Sequence, residues 1–262
     1  MVNDVFYSSP ERERIKSLII AQFEANVQGR SPDITGYNLA HDGAEGDWLT
    51  KQMGLTVNGR NEPDFHGFEM KKDSKGKTTF GDWPPDFAIY KGTHRQFDQD
   101  TFLSIFGSAN PKKGHRYSWS GTVFPKIGVF NDYGQGLFIN VRKDIEAIYR
   151  HSLNIVESSR HRMPEGFHGD DVTLARWTFD NLKLRLERKF NQLGWFRCLK
   201  DHSGVYDKIQ FGYPINIQVF MELFEKGLVF IDCGMHQGNP RPYMTFRANN
   251  NIWESLAERT SD

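Results

Sequence analysis

The chain has 262 residues, 25% of them charged and 14% aromatic, with a formal net charge of +0 and a mean hydropathy of -0.61. That length buries one large core or two modest ones, and no stretch approaches the ~20 apolar residues a membrane-spanning helix needs. The two cysteines, Cys198 and Cys233, lack zinc or disulfide spacing and Met1–Pro10 lacks a basic-then-apolar leader, so a reducing cytoplasm is the expected setting.

Residues 11–28 place Ile15, Leu18, Ile19, Gln22, Phe23 and Asn26 on one stripe and stop at Gly29 and Pro32, which predicts a helix. A second helix is expected over 43–54, with Trp48, Leu49 and Met53 inward and Gly54 as its stop. Asn58-Gly59 and Asn61-Glu62-Pro63 turn the chain into a strand over 67–71. Side chains alternate along a strand, so Phe68 and Met70 face one side and Glu69 and Lys71 the other, with Asp64 arriving from the turn. Thr78-Thr79-Phe80 is expected to pair with that strand, and Trp83-Pro84-Pro85 ends it. Phe97, Phe102, Leu103 and Phe106 mark a short helix or amphipathic segment closed by Gly107. Lys112, Lys113, His115 and Arg116 form the densest basic cluster, followed by Tyr117, Ser118, Trp119 and Ser120. Zero net charge gives no global basic field, so a nucleic-acid partner requires such local clustering. Interleaved basic and aromatic residues suit a phosphate backbone, and an ordinary solvated loop is the plainer alternative.

Residues 127–130 and 137–141 are expected to form a hairpin across Asn131–Gly134, and 144–156 a helix. Residues 157–171, with Arg160, His161, Arg162, Pro164, Gly166 and Gly169, have the composition of a mobile surface loop. The clearest helix is 180–194, with Leu182, Leu186, Phe190 and Leu193 at helical spacing, Asp180 as N-cap and Gly194 as stop. Strands follow at 195–199 and 208–211, a helix at 217–224 ended by Gly227, a strand pair at 228–232 and 243–247, and a helix at 252–258. The class is α+β. The expected division is a catalytic lobe over 1–156 and a recognition lobe over 157–262, with interleaving of the two left open.

Two carboxylates and an ammonium at one end of a sheet can hold a hard divalent cation and activate water for phosphodiester cleavage. An Asp followed by Glu/Asp-x-Lys is a loose pattern with two other formal matches. Asp180 with Glu187-Arg188-Lys189 lies in the strongest helix, where residues two apart diverge. Asp64 with Asp73-Ser74-Lys75 runs past the apolar alternation into a polar turn. Asp64, Glu69 and Lys71 alone combine strand alternation, a preceding turn and an upstream helix; their plainer alternative is an amphipathic strand with a solvated face.

Gly46-x-Trp48-Leu49-x-x-Gln52-Met53-Gly54, then Asn58, then Pro63-Asp64-Phe65-x-Gly67-Phe68-Glu69-Met70-Lys71 resembles the MvaI/BcnI restriction endonucleases and their relative MutH, within the PD-(D/E)XK nucleases. The similarity continues through Lys77–Phe80, Tyr117–Ser120, Leu182–Lys189, Gly227–Asp232 and Thr245–Arg247. The resemblance implies an α/β/α PD-(D/E)XK core, with a mixed central sheet flanked by helices and a second α+β recognition lobe, clamp-like in shape. It implies a monomeric type II enzyme that cuts double-stranded DNA one strand at a time with Mg2+. Asp64 and Glu69 would hold the metal, and Lys71 would position the attacking water and offset transition-state charge. A cognate DNA methyltransferase would act on the same site.

The candidate site departs from the family at one position. Where a helix Glu is expected the chain has Thr50; Asp47 or Glu45 are the candidate substitutes, and a charged first helical turn is their plainer role. For sequence readout the resemblance points to Asp232 and Arg247, and side-chain chemistry adds His236, Asn239, Arg241 and Tyr243. Asp232 capping a turn and Arg247 pairing with a carboxylate are the alternatives. Gly234 stands where a family arginine is expected. His66 and His115 are either near the scissile phosphate or ordinary surface histidines. Two other functions share these features: a MutH-like nicking enzyme of DNA repair, and a DNA-binding protein impaired in catalysis.

Overall fold

The computed structural model describes residues 9–36, 43–56, 61–74, 76–93, 95–169 and 171–258. Met1–Ser8, the expected Asn58-Gly59 turn and Lys75 lie outside the described residues. Helix α1 (Pro10–Asn26) starts where the Ser9 side chain accepts the Arg12 N–H, with proline in the first turn. It buries Arg12, Ile15, Ile19 and Phe23, whereas Leu18 of the expected stripe is exposed. Helix α2 (Ala44–Gln52) buries Trp48 and Leu49 and stops at Gly54, whose φ of 72° suits glycine. Strand β1 (Phe68–Lys72) is launched by a tight turn closed by Phe65 N–H to Phe68 O (2.9 Å) and its reciprocal (2.8 Å). His66 and Gly67 occupy its centre with φ of 45° and 96°, the left-handed pair of a type I′ turn. His66 is therefore a turn-former.

The chain continues through β2 (Lys77–Asp82), β3 (Phe87–Ala88), α3 (Gln99–Phe106), β4 (Ser108–Asn110) and β5 (Arg116–Trp119). Asp98 caps α3 by accepting the Thr101 N–H and hydroxyl. Then come β6 (Tyr133–Ile139), β7 (Ile145–Asn154), α4 (Glu157–Arg160), β8 (Val172–Trp177), α5 (Phe179–Phe190), β9 (Gly194–Lys200) and β10 (Tyr206–Gly212). The chain ends with α6 (Ile217–Glu225), β11 (Val229–His236), β12 (Tyr243–Asn249) and α7 (Asn250–Ser255). Among the described residues no helix is long and apolar enough to cross a membrane.

Several expectations are corrected. Residues 145–154 form strand β7, not a helix: Ile145, Ala147 and Tyr149 are buried alternately, and β-branched and aromatic side chains suit a pleated surface. Residues 127–130 are no strand; they make isolated bridges, Ile127 to Leu137 and Phe130 to Gly136, around the expected Asn131–Gly134 turn. The supposed loop over 157–171 holds two short helical turns. It is pinned by buried Met163 and Phe167 and by Arg162 donating to the carbonyls of Ser104 (2.7 Å), Ser158 (2.6 Å) and Gly107 (3.1 Å). Asp180 lies one residue inside α5 rather than capping it; the Phe179 N–H donates instead to Asp144 Oδ1 at 2.9 Å. The neighbour of β1 is β9, not the segment around Thr79.

Two compact units emerge, each discontinuous in sequence. The first takes Met1–Thr78, Arg185–Asn216 and Asn249–Asp262; the second takes Thr79–Leu184 and Ile217–Ala248. A single cut near residue 156 therefore does not describe the division, because residues 79–156 belong with the second unit. In the first unit β1 runs parallel to β9 and β9 antiparallel to β10, a mixed sheet. Phe68, Phe196, Cys198 and Phe211 pack on one face against Ile15, Ile19 and Phe23 of α1 and Trp48 and Leu49 of α2. On the other face Trp195 meets Trp253 of α7 (ring centroids 5.1 Å apart), and Trp253 meets Phe190 of α5. The result is an α/β/α layering, as expected. The second unit holds a five-stranded sheet in the order β2-β12-β11-β5-β4 and a four-stranded sheet β3-β8-β7-β6. Its aromatic core satisfies its own polar atoms: Trp119 Nε1 donates to Gln135 Oε1 (2.6 Å), and Gln135 Nε2 to Phe106 O (2.7 Å).

Candidate active site and readout face

Strand alternation places Glu69 and Lys71 on the face of β1 opposite Phe68, as the sequence predicts, but that face is not solvated. Glu69 is 2% and Lys71 9% exposed. Lys71 Nζ bonds Glu69 Oε1 at 2.6 Å and lies 5.0 Å from the centre of the Phe190 ring. Asp64 is fixed by the β1 backbone: the Met70 N–H donates to its Oδ2 at 3.0 Å. The second oxygen of Glu69, Oε2, is buried with no hydrogen-bond partner. A buried carboxylate oxygen left bare is costly unless something else binds it.

The electrostatics follow from this crowding. Asp64 has its pKa raised to about 6, first by burial of its carboxyl and then by the Glu69 charge, against the pull of Lys71. The residue as a whole is exposed, which limits the contribution of burial; repulsion from Glu69 keeps the direction upward. Burial pushes the Lys71 pKa down, against the attraction of Glu69, and the charge of Lys189 adds to the depression.

Lys189 is the site residue that sequence reasoning missed. It lies on α5 and places Nζ 3.1 Å from Glu69 Oε1. Its signal was modest: it sits three residues after buried Leu186, on the flank of the apolar stripe, beside buried Phe190. The decoy motif that contained it was rightly no strand, yet its lysine reaches the site from the helix.

The candidates on α2 behave differently. Thr50 donates its hydroxyl to Gly46 O at 2.7 Å. Glu45 is committed to Lys200 Nζ (2.7 Å) and the Tyr206 hydroxyl (2.9 Å). Asp47 is half-buried and makes no side-chain ion pair or hydrogen bond among the described residues. Neither acid is among the charges that act on Asp64 or Lys71. Among the described residues no group of three or more His, Cys, Asp or Glu could hold a metal ion.

The candidate readout residues, far apart in sequence, gather in the second unit. Strand β5 pairs with β11 (Ser118 with His236), and β11 with β12 (Asp232 with Thr245, Phe230 with Arg247). Along β11 the buried side chains are Val229, Ile231, Cys233 and Met235, so Asp232, Gly234 and His236 share the opposite, half-exposed face with Arg247, Ser118 and Arg116. Arg247 pairs with Asp232 at 3.3 Å. Tyr243 stands opposite Gly234, and its ring lies where a Cβ at 234 would be, 2.1 Å from the nearest ring atom. Lys112 and Lys113 form an exposed 3-10 turn between β4 and β5, and His115 follows with a φ of 57°, a turn position. His236 places Nδ1 2.9 Å from Gln237 O. Asn239 serves the β11–β12 turn, donating to Gly234 O (3.0 Å) and accepting from the Arg241 N–H (2.9 Å). Arg241 and Tyr243 are exposed.

Residues 27–261 match the family model of the LlaMI restriction endonuclease. The chain belongs to the LlaMI restriction endonuclease family. The type II restriction enzyme ScrFI of Lactococcus lactis subsp. cremoris is 39% identical over 268 residues, covering 95% of this chain and 97% of that protein. The activity is accordingly that of a type II restriction endonuclease, a site-specific deoxyribonuclease. The restriction endonuclease MvaI in complex with its cognate DNA substrate has a similar fold, with a TM-score of 0.61 at 13% identity over 96% of this chain and 98% of that one. MvaI without DNA gives 0.46 at 15% identity, over 96% and 97% of the two chains. The likeness to the MvaI/BcnI enzymes that the motifs suggested thus holds for this LlaMI-family chain at the level of the fold.

Proposed function

We propose that this LlaMI-family chain cleaves double-stranded DNA with magnesium at Asp64, Glu69 and Lys71. The observation that carries the reading is the bare, buried Glu69 Oε2 beside an Asp64 that the β1 backbone holds in place. Two hard carboxylate donors suit magnesium, which keeps several waters and is bound through one or two carboxylates plus substrate phosphate. Asp64 and Glu69 would hold the ion; when bound, it supplies Lewis-acid charge at the phosphate and lowers the pKa of the attacking water. Lys71, fixed by Glu69 and set against the Phe190 ring, positions the water with its ammonium and offsets the charge that builds on the phosphate oxygens. The face formed by Arg116, Ser118, Asp232, His236, Tyr243 and Arg247 reads the bases. Arg247 beside Asp232 offers a donor next to an acceptor, which a G·C pair complements through guanine O6/N7 and cytosine N4. Lys112, Lys113 and Arg241 meet backbone phosphates.

The chain acts as a monomer that cuts the strands in turn, and a companion methyltransferase protects the same sites in its host. Both cysteines are buried and free, which suits the reducing cytoplasm where such an enzyme meets incoming DNA. Plasmid cleavage with magnesium tests the assignment. Lys71→Ala should abolish cutting and leave specific binding largely intact; cutting at the normal rate by that variant would remove the site assignment.

A further inference from the structure

The two oxygens of Glu69 are used unequally. Oε1 receives both Lys71 Nζ (2.6 Å) and Lys189 Nζ (3.1 Å), while Oε2 receives nothing. Lys71 comes from the same strand and would anchor Oε1 by itself. Lys189 reaches in from α5, its side chain 17% exposed, and makes no other ion pair or hydrogen bond among the described residues. With Asp64 and Glu69 ionised, two carboxylates meet two ammoniums, and the four-group site is neutral. A neutral site attracts a dication weakly. A DNA phosphate entering the site adds the missing negative charge.

We propose that Lys189 is a positioning residue that fixes Glu69 Oε1 together with Lys71 and balances the charge of the site, so that the divalent cation binds weakly until DNA arrives. The inference rests on the metal reading of Asp64 and Glu69 given above. The device makes metal and DNA affinities mutually dependent, since any coupling between two ligands is reciprocal. A DNA-free enzyme would then carry little metal, and hydrolysis would be confined to complexes in which phosphate has already docked.

The test is a calorimetric titration of Mg2+ into the DNA-free protein at pH 8. Lys189→Met keeps the hydrocarbon stem and removes the charge, and should bind Mg2+ about tenfold more tightly than the parent. Lys189→Arg keeps the charge and should bind like the parent, which a merely structural role for the stem would not require. In the presence of a cognate duplex with a non-hydrolysable phosphate linkage, the metal affinities of parent and Met variant should differ less than without DNA. Equal or weaker Mg2+ binding by Lys189→Met without DNA would overturn the inference. Failure of the underlying site is distinguishable: Asp64→Asn should remove Mg2+ binding in both backgrounds, and retained binding there would refute the metal assignment itself.

Discussion

Asp64→Asn should make the metal-free protein more stable while removing its activity. Asp64 titrates near 6 in the fold against 3.8 for an ordinary aspartate, because burial and the Glu69 charge disfavour its ionised form. The folded state therefore holds the proton more tightly than the unfolded chain. Above about pH 6 the ionised carboxylate penalises the fold; as pH falls through 6 the penalty is relieved, and below 3.8 it is gone. Taken whole, a rise of that size corresponds to about 3 kcal/mol. The residue is exposed, and solvent screening reduces this to about 1 kcal/mol. Asparagine retains an oxygen for the Met70 N–H, so little is lost in exchange. Thermal unfolding in EDTA at pH 7.5 should then show a rise in Tm of about 2–4 °C for a chain of this size, shrinking toward zero at pH 4. Plasmid cleavage should fall by about two orders of magnitude or more. A variant less stable than the parent at pH 7.5, or a gain that persists undiminished at pH 4, would refute the account of strain between Asp64 and Glu69.

The proposed readout face yields three further tests. Arg247→Ala should cost about 1–3 kcal/mol in binding the cognate duplex and relax discrimination at one G·C pair; filter binding with single-base variants would show loss without relaxation if the pairing with Asp232 is only structural. Replacing Lys112 and Lys113 by Ala should weaken binding to every sequence alike and lower the slope of log K against log salt by about two, and an unchanged slope would take that turn off the DNA. Gly234→Val must displace the Tyr243 ring, whose exposed position lets it swing out, so stability should change by about 1 kcal/mol or less while the profile of cleaved sites shifts; an identical profile from a randomised-site library would exclude Tyr243 from specificity.

Strand β1, which carries the proposed catalytic residues, was legible because its information is local. A period of two separates Phe68 from Glu69, and a turn with glycine at its second centre delivers Asp64 next to it. Pairing was not local: nothing in residues 67–71 points to β9 rather than to Thr79 as the neighbour, and Lys189 enters only once α5 packs over the sheet. Strand β7 shows how periodicity misleads. Ile145, Ile148 and Tyr149 fit helical spacing i, i+3, i+4 as well as a strand does, and the burial of Ala147 between Ile145 and Tyr149 decides the matter in three dimensions. The basic cluster around Arg116 and the later hairpin looked like separate features on either side of a boundary. The hydrogen-bonded pairing of Ser118 with His236 makes them one surface.

The chain passes from one unit to the other four times, at residues 78/79, 184/185, 216/217 and 248/249. For the history of such a gene this has a consequence. Enzymes whose binding and cutting parts follow one another can acquire a new specificity by a single recombination between paralogues. Here a crossover between residues 79 and 248 would mix both units, and the hybrid would have to repack two cores at once; a crossover outside that span would still split the first unit. Under the proposed readout, new target sequences are reached with least disturbance by substitution on the strands already in place, one half-exposed position at a time, with residues 63–71 left unchanged.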